Sequence, residues 1–206
     1  NASLIAAARS PSGSPPPSGL MISQKKLWLE CPPPLLRTTV SLSPQLLGAL
    51  QSLNVSPGAI APGKLVATPR GIRAWFGITT GAVDLGSATN TPITAEIAHE
   101  GGLSLTAGGT RVELSSFAIE IESGGNVLTG LAVVNDTLVG RIPLFDLDLA
   151  NAGISRAGNV LKASDVVATL NEDAANALNQ IFGVSAFVKG LPIGTAEVRA
   201  LLDNRH

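Results

Sequence analysis

The sequence predicts an all-β domain, an antiparallel sandwich or barrel-like fold with two short helices and an extended N-terminal arm. Three observations lead there. Glycine pairs at Gly101-Gly102, Gly108-Gly109 and Gly124-Gly125 separate segments in which apolar and polar residues alternate. A period of two marks strands with one wet face, and Gly-Gly supplies the positive φ that tight hairpin turns require. The composition agrees, with 45% of 206 residues apolar, 14% charged, and Val, Thr, Ile and Gly prominent in the second half. Such a chain can bury one sizeable core and has too little charge to be disordered throughout. Lastly, seven of the 14 prolines fall in residues 1–43, including the runs 15–17 and 32–34. Proline runs hold polyproline II and continue neither a helix nor a central strand.

Residues 1–43 therefore read as the extended Pro/Ser-rich arm and residues 44–206 as the β-rich globular domain. The arm carries Arg9, Lys25, Lys26 and Arg37 against Glu30 alone, a net +3, and the remainder carries −4. Between the proline runs, Leu27, Leu29 and Cys31 alternate with Lys26, Trp28 and Glu30, a strand pattern flanked by residues that cannot pair. Such a segment is suited to adding onto an exposed sheet edge. Leu20, Ile22, Leu27, Trp28 and Leu29 are the expected partner-binding residues.

The elements of the body follow in order. Ser43 is a helix N-cap with Pro44 at the first helical position, so residues 43–50 form a short helix. After the Gly-Gly punctuation come alternating strands at 103–107, 111–115 and 117–122. Segments 131–134 and 138–142 form another pair, turned by Asn135-Asp136, and 145–149 alternates again. Strands around Val160 and at 166–170 lead to the second helix. Asn171 caps it, Glu172 and Asp173 occupy its first turn, Ala174, Ala175, Ala177, Leu178 and Ile181 follow, and Gly183 ends it. Residues 193–200 close the domain. The two helices sit in similar settings: Leu42-Ser43-Pro44-Gln45 aligns with Leu170-Asn171-Glu172-Asp173, and Asn54-Val55-Ser56 with Gly183-Val184-Ser185. An internal repeat and the convergence of two ordinary capped helices both account for this.

Candidate chemistry is sparse. Of the two histidines, His99 lies just before Gly101-Gly102 and reads as a solvated turn residue, and no Gly-x-Ser-x-Gly elbow offers a nucleophile. No His pair has metal spacing, and Cys31 is the single cysteine, so neither a disulfide nor a thiolate site forms within the chain. Asp146 with Asp148, and Glu120 with Glu122, share strand faces, where carboxylates keep a sheet soluble and block edge pairing. Seven aromatics (Trp28, Trp75, Phe76, Phe117, Phe145, Phe182, Phe187) are too scattered for a stacking platform and are mostly core by spacing. No catalytic, cofactor or metal residues are expected. The net charge of −1 gives no reason to expect nucleic acid, and no run approaches the roughly 20 apolar residues of a membrane span.

The segments Ile78-Thr79-Thr80-Gly81-Ala82-Val83-Asp84, with Gly81 as a positive-φ glycine, and His99-Glu100-Gly101-Gly102-Leu103 before a hairpin resemble secreted actinobacterial β domains. They resemble the HtaA-type haem-uptake domain more remotely. Leu147-Asp148-Leu149, Val167-Ala168-Thr169-Leu170-Asn171 and Gly190-Leu191-Pro192-Ile193-Gly194-Thr195-Ala196 extend the resemblance from about Gly71 to Ala200. It implies a β fold and an exported protein. The family's haem ligand is a Tyr, and this chain has none, so the resemblance implies no haem site here. The start at Asn1 rather than Met is the start expected after signal-peptide removal. The expected function is thus a non-enzymatic extracellular or cell-surface assembly protein whose arm docks on a partner or a neighbouring copy. The alternative is an HtaA-like carrier of haem or another small apolar ligand.

Overall fold

The structure, a computed structural model, describes residues 36–85 and 92–201. The partner-binding residues expected in the arm (Leu20, Ile22, Leu27, Trp28, Leu29), and Cys31, lie outside them. The described residues form β1 (Arg37–Leu42), α1 (Pro44–Ser52), β2 (Ser56–Ile60), β3 (Lys64–Thr68), β4 (Gly71–Leu85), β5 (Pro92–His99) and β6 (Gly102–Ala107). They continue with β7 (Thr110–Glu122), β8 (Gly125–Val134), β9 (Thr137–Asp148), β10 (Gly153–Ala157), β11 (Val160–Leu170), α2 (Glu172–Phe182) and β12 (Pro192–Leu201).

Eight strands close into an antiparallel barrel in the order β7-β5-β4-β1-β12-β11-β9-β8, and the β7–β8 pairing completes the ring. The closed barrel leaves no free edges in its ring. β2 and β6 extend the sheet from β7, while β3 lies on β4 and β10 on β11. One boundary moves. Arg37–Leu42, read as the end of the arm, is a central barrel strand paired with β4 on one side and β12 on the other. Thr38, Val40 and Leu42 alternate inward there, so the ladder of a sheet interior wins over the nearby prolines, none of which lies within the strand.

Two bulges shift which alternate residues of a long strand point inward. In β7, Val112 and Leu114 point to the core. Ser116 then takes φ 50°, the register slips between Ser115 and Ala118, and Phe117, Ile119 and Ile121 point inward instead. In β11, Asp165 at φ 60° does the same between Leu161 and Val166. Asn135 and Asp136, at φ 45° and 65°, make the hairpin turn between β8 and β9.

Gly101-Gly102 does not turn a hairpin. β5 and β6 are not neighbours; both pair with the same edge of β7, and the chain steps from one to the other at Gly101. Gly101 has φ 80°, and a Cβ there would come within 2.3 Å of the Gly63 nitrogen, so only glycine fits. Gly81 is not among the positive-φ glycines. It sits in β4, where a Cβ would approach the Glu96 carbonyl to 2.7 Å.

Both helices form as their caps direct, and both cover one end of the barrel. The Ser43 side chain accepts from the Leu46 amide and the Asn171 side chain from the Asp173 amide. The aligned residues Asn54 and Gly183 are both left-handed, at φ 53° and 65°. The next amides reach back alike, Val55 to the Leu50 carbonyl and Val184 to the Asn179 carbonyl. Leu46, Leu50, Leu178 and Phe187 meet around a small apolar space against Leu105 and Leu114, which seals that end.

Candidate functional site

The expected chemistry resolves mostly into structure. Asp146 accepts from the Asn171 side-chain amide at 2.6 Å and so helps fix the cap of α2; Asp148 accepts from the Ala150 amide in the next turn. Glu120 accepts from the Thr129 hydroxyl, which itself accepts from Arg141. Among the described residues no cluster of three or more His, Cys, Asp or Glu could hold a metal ion. Phe76 and Phe117 pack edge to face, centroids 5.1 Å apart, in the core, whereas Trp75 faces the outside of the barrel wall.

His99 is the correction that matters. It is not a solvated turn residue: it is 5% exposed and continues the inward row of Ala95 and Ile97. Its Nδ1 lies 3.3 Å from the Phe117 carbonyl and its Nε2 2.6 Å from the Thr38 hydroxyl. A carbonyl only accepts, so the ring proton is assigned to Nδ1, and Nε2 then accepts from Thr38. Burial holds the imidazole below its ordinary value of 6.5, at about 4; backbone hydrogen bonds to Phe117 and Ile97 offset the lowering in part. At neutral pH the ring is uncharged.

Among the described residues, Thr38 and His99 are the only polar side chains lining the barrel interior. The lumen runs from Leu42 and Ile193, at the helix-covered end, to Val83, Leu149 and Ile154 at the other. Barrels of eight strands have an interior just wide enough for side chains to fill or for one small ligand. Here Ala74, Ala95, Ala163, Ala168 and Ala196 stand on the wall where larger residues would close the space. A cavity of about 80 Å³ remains. A second, more open cavity of about 260 Å³ lies between the C-terminal ends of the helices, at Leu53, Val55, Phe182 and Val184.

The Thr38–His99 contact has the spacing of a nucleophile and its base, but little else of that chemistry. A base at about 4 is poorly matched to proton abstraction at neutral pH, and a carbonyl rather than a carboxylate stands behind Nδ1. What the pair can do is exchange partners. A ligand hydroxyl that donates to Nε2 can replace Thr38, whose own hydroxyl rotates to suit.

No protein-family model and no curated protein matches the sequence. Solved structures do. The C-terminal domain of HtaA from Corynebacterium glutamicum has 16% identity and a TM-score of 0.54, over 81% of this chain and 96% of that one. The N-terminal domain of HtaA has 11% identity and a TM-score of 0.53, over 81% and 97%. A domain-swapped dimer of a His-to-Ala variant of the C-terminal domain has 19% identity and a TM-score of 0.51, over 77% and 88%. At these identities the likeness is one of fold, and the described barrel with its two helices is remotely similar to the HtaA domains.

Proposed function

We propose that this protein is a non-enzymatic carrier that holds a small, uncharged, largely apolar ligand inside the barrel, hydrogen-bonded to His99 Nε2. The observation that carries the reading is the lumen: apolar apart from Thr38 and a neutral His99 imidazole, and kept open by alanines. An unfilled apolar volume of about 80 Å³ forgoes about 2 kcal/mol of packing, which a ligand recovers when it enters. The fold shared with HtaA domains supports a carrier over an assembly protein. An extracellular location accords with that likeness, and among the described residues no helix is long and apolar enough to cross a membrane.

The composition and the lumen both bear on haem. No Tyr is available to ligate its iron. The lumen leaves about 80 Å³ free, less than the dry cavity of about 150 Å³ that admits one benzene ring, so a porphyrin would demand far more widening than a small ligand. The ligand class this favours is a slender hydrocarbon or a small alcohol, whose entry needs the least widening at the alanine wall.

Two titrations test this. Haemin is expected to give no saturable one-to-one shift of its Soret band. A sharp shift abolished by His99→Ala would show a haem site with a changed ligand and overturn the reading. Small apolar molecules such as cyclohexanol are expected to bind saturably with a negative heat-capacity change; heats indistinguishable from dilution across the series would count equally against it.

A further inference from the structure

The outer wall of the barrel carries a further cavity of different character. It measures about 380 Å³ and lies over β4, β1, β12 and the bulge of β11. Register places Trp75 beside Thr39, Arg73 beside Ser41, and Arg37 beside Arg199, all on the outward face. Arg37 and Ser41 are four residues apart on β1, about 13 Å. The Arg37 guanidinium closes part of that gap by lying over the Trp75 ring, 5.0 Å from its centroid.

The charges around this wall are unbalanced. Elsewhere, and at its rim, described cations have oxygen partners: Arg111 has Glu113, Lys189 has Glu172, Arg199 and Lys162 share Glu197, and Arg141 has Thr129. Among the described residues, the side chains of Arg37, Lys64, Arg70 and Arg73 meet no carboxylate or other hydrogen-bond acceptor. All four stand on β1, β3, β4 or the β3–β4 turn. Arg37 and Arg73 are half-buried, which restricts their choice of partner. Two acids border the cavity. Glu197 is already engaged by Arg199 at 2.7 Å, and Asp165 is exposed at the bulge.

We propose that this groove binds a small oxyanion ligand, a carboxylate or a phosphate ester, between Arg37 and Arg73. A guanidinium stacked on an indole keeps its planar edge of N–H donors free, and that fork matches a carboxylate or phosphate in two parallel hydrogen bonds. Trp75 fixes the fork, so less side-chain freedom is lost on binding. Thr39, Ser41 and Thr195 place hydroxyl donors on the floor. The cavity has the size of a small-molecule site, and its cationic character sets it apart from the lumen on the other face of the same strands.

The test uses the full chain carrying Trp28→Phe, which leaves Trp75 as the only tryptophan. Citrate and inorganic phosphate are titrated at constant ionic strength, with Trp75 fluorescence and calorimetry as parallel readouts. A saturable response to either probe is expected, and the stronger of the two identifies the oxyanion. Arg37→Gln and Arg73→Gln should each weaken it at least tenfold, Arg73→Lys should recover only part, and Lys189→Gln, in the turn before β12, should leave it unchanged. Failure of both probes to saturate, an equal response to chloride, or undiminished affinity in Arg73→Gln overturns the proposal.

Discussion

Lowering the pH from 7 to 4.5 acts on the barrel interior through one group. Among the described residues, His99 is the only titratable side chain lining the lumen. Its folded value is about 4, against 6.5 in the unfolded chain, so between those values the unfolded state binds the extra proton and the folded state does not. Stability contributed by the neutral ring is fully present above about 6.5 and is lost as the pH falls toward 4. Taking that interval at about 1.4 kcal/mol per pH unit gives a loss of about 3 kcal/mol. The assay is urea unfolding at half-unit steps from pH 7.5 to 4.0, on the wild-type chain and on His99→Gln. Glutamine can donate to the Phe117 carbonyl and accept from Thr38 without titrating. The difference between the two curves should be flat above pH 6.5 and steepen below it. Parallel curves, or a wild-type chain that gains stability relative to the variant on acidification, would refute the buried neutral imidazole.

Three further outcomes follow from the packing. Leu178→Ala should cost about 2–5 kcal/mol in chemical denaturation, since the side chain is buried between α2 and the sheet; a change below about 0.5 kcal/mol would mean an exposed helix face. Gly101→Ala should cost at least about 2 kcal/mol, because it combines a left-handed backbone with a contact of 2.3 Å, and an unchanged Tm would contradict the step drawn between β5 and β6. Deleting residues 1–34 leaves β1 intact; if the arm joins molecules, the product is a folded monomer by light scattering, and if assembly persists at native affinity the arm is not the connector.

The fold was legible where local chemistry is decisive. Ser43-Pro44 and Asn171-Glu172-Asp173 announce helices because capping depends on a few adjacent residues. The break between Leu114 and Phe117 in the alternation is the bulge at Ser116 seen from the sequence. Closure of the barrel was not legible, because it depends on β1 lying between β4 and β12 and on β7 meeting β8, pairings between distant residues. Proximity to Pro32–Pro34 hid β1, although Thr38, Val40 and Leu42 already alternate.

His99 is the residue whose setting the sequence conceals. His99 stands two residues beyond Ile97 and four beyond Ala95, and that parity points it inward. The following Gly101-Gly102 suggested a turn and drew the reading to the surface. Its partners, Thr38 and the Phe117 carbonyl, are 61 and 18 residues away, so nothing local could name them. The charged outer wall was invisible for the same reason: Arg37, Arg73 and Trp75 become neighbours only when β1 pairs with β4.

The central claim is that the ligand sits inside the barrel, and filling the barrel tests it. Ala168 is 4% exposed and lines the lumen. Calorimetric titration of a small apolar alcohol into the wild-type chain and into Ala168→Leu measures whether the space and the site are one. Saturable binding to the wild-type chain that disappears in a folded, undiminished or more stable Ala168→Leu is the predicted result. Equal affinity in both chains would place the ligand elsewhere on the molecule and contradict the account.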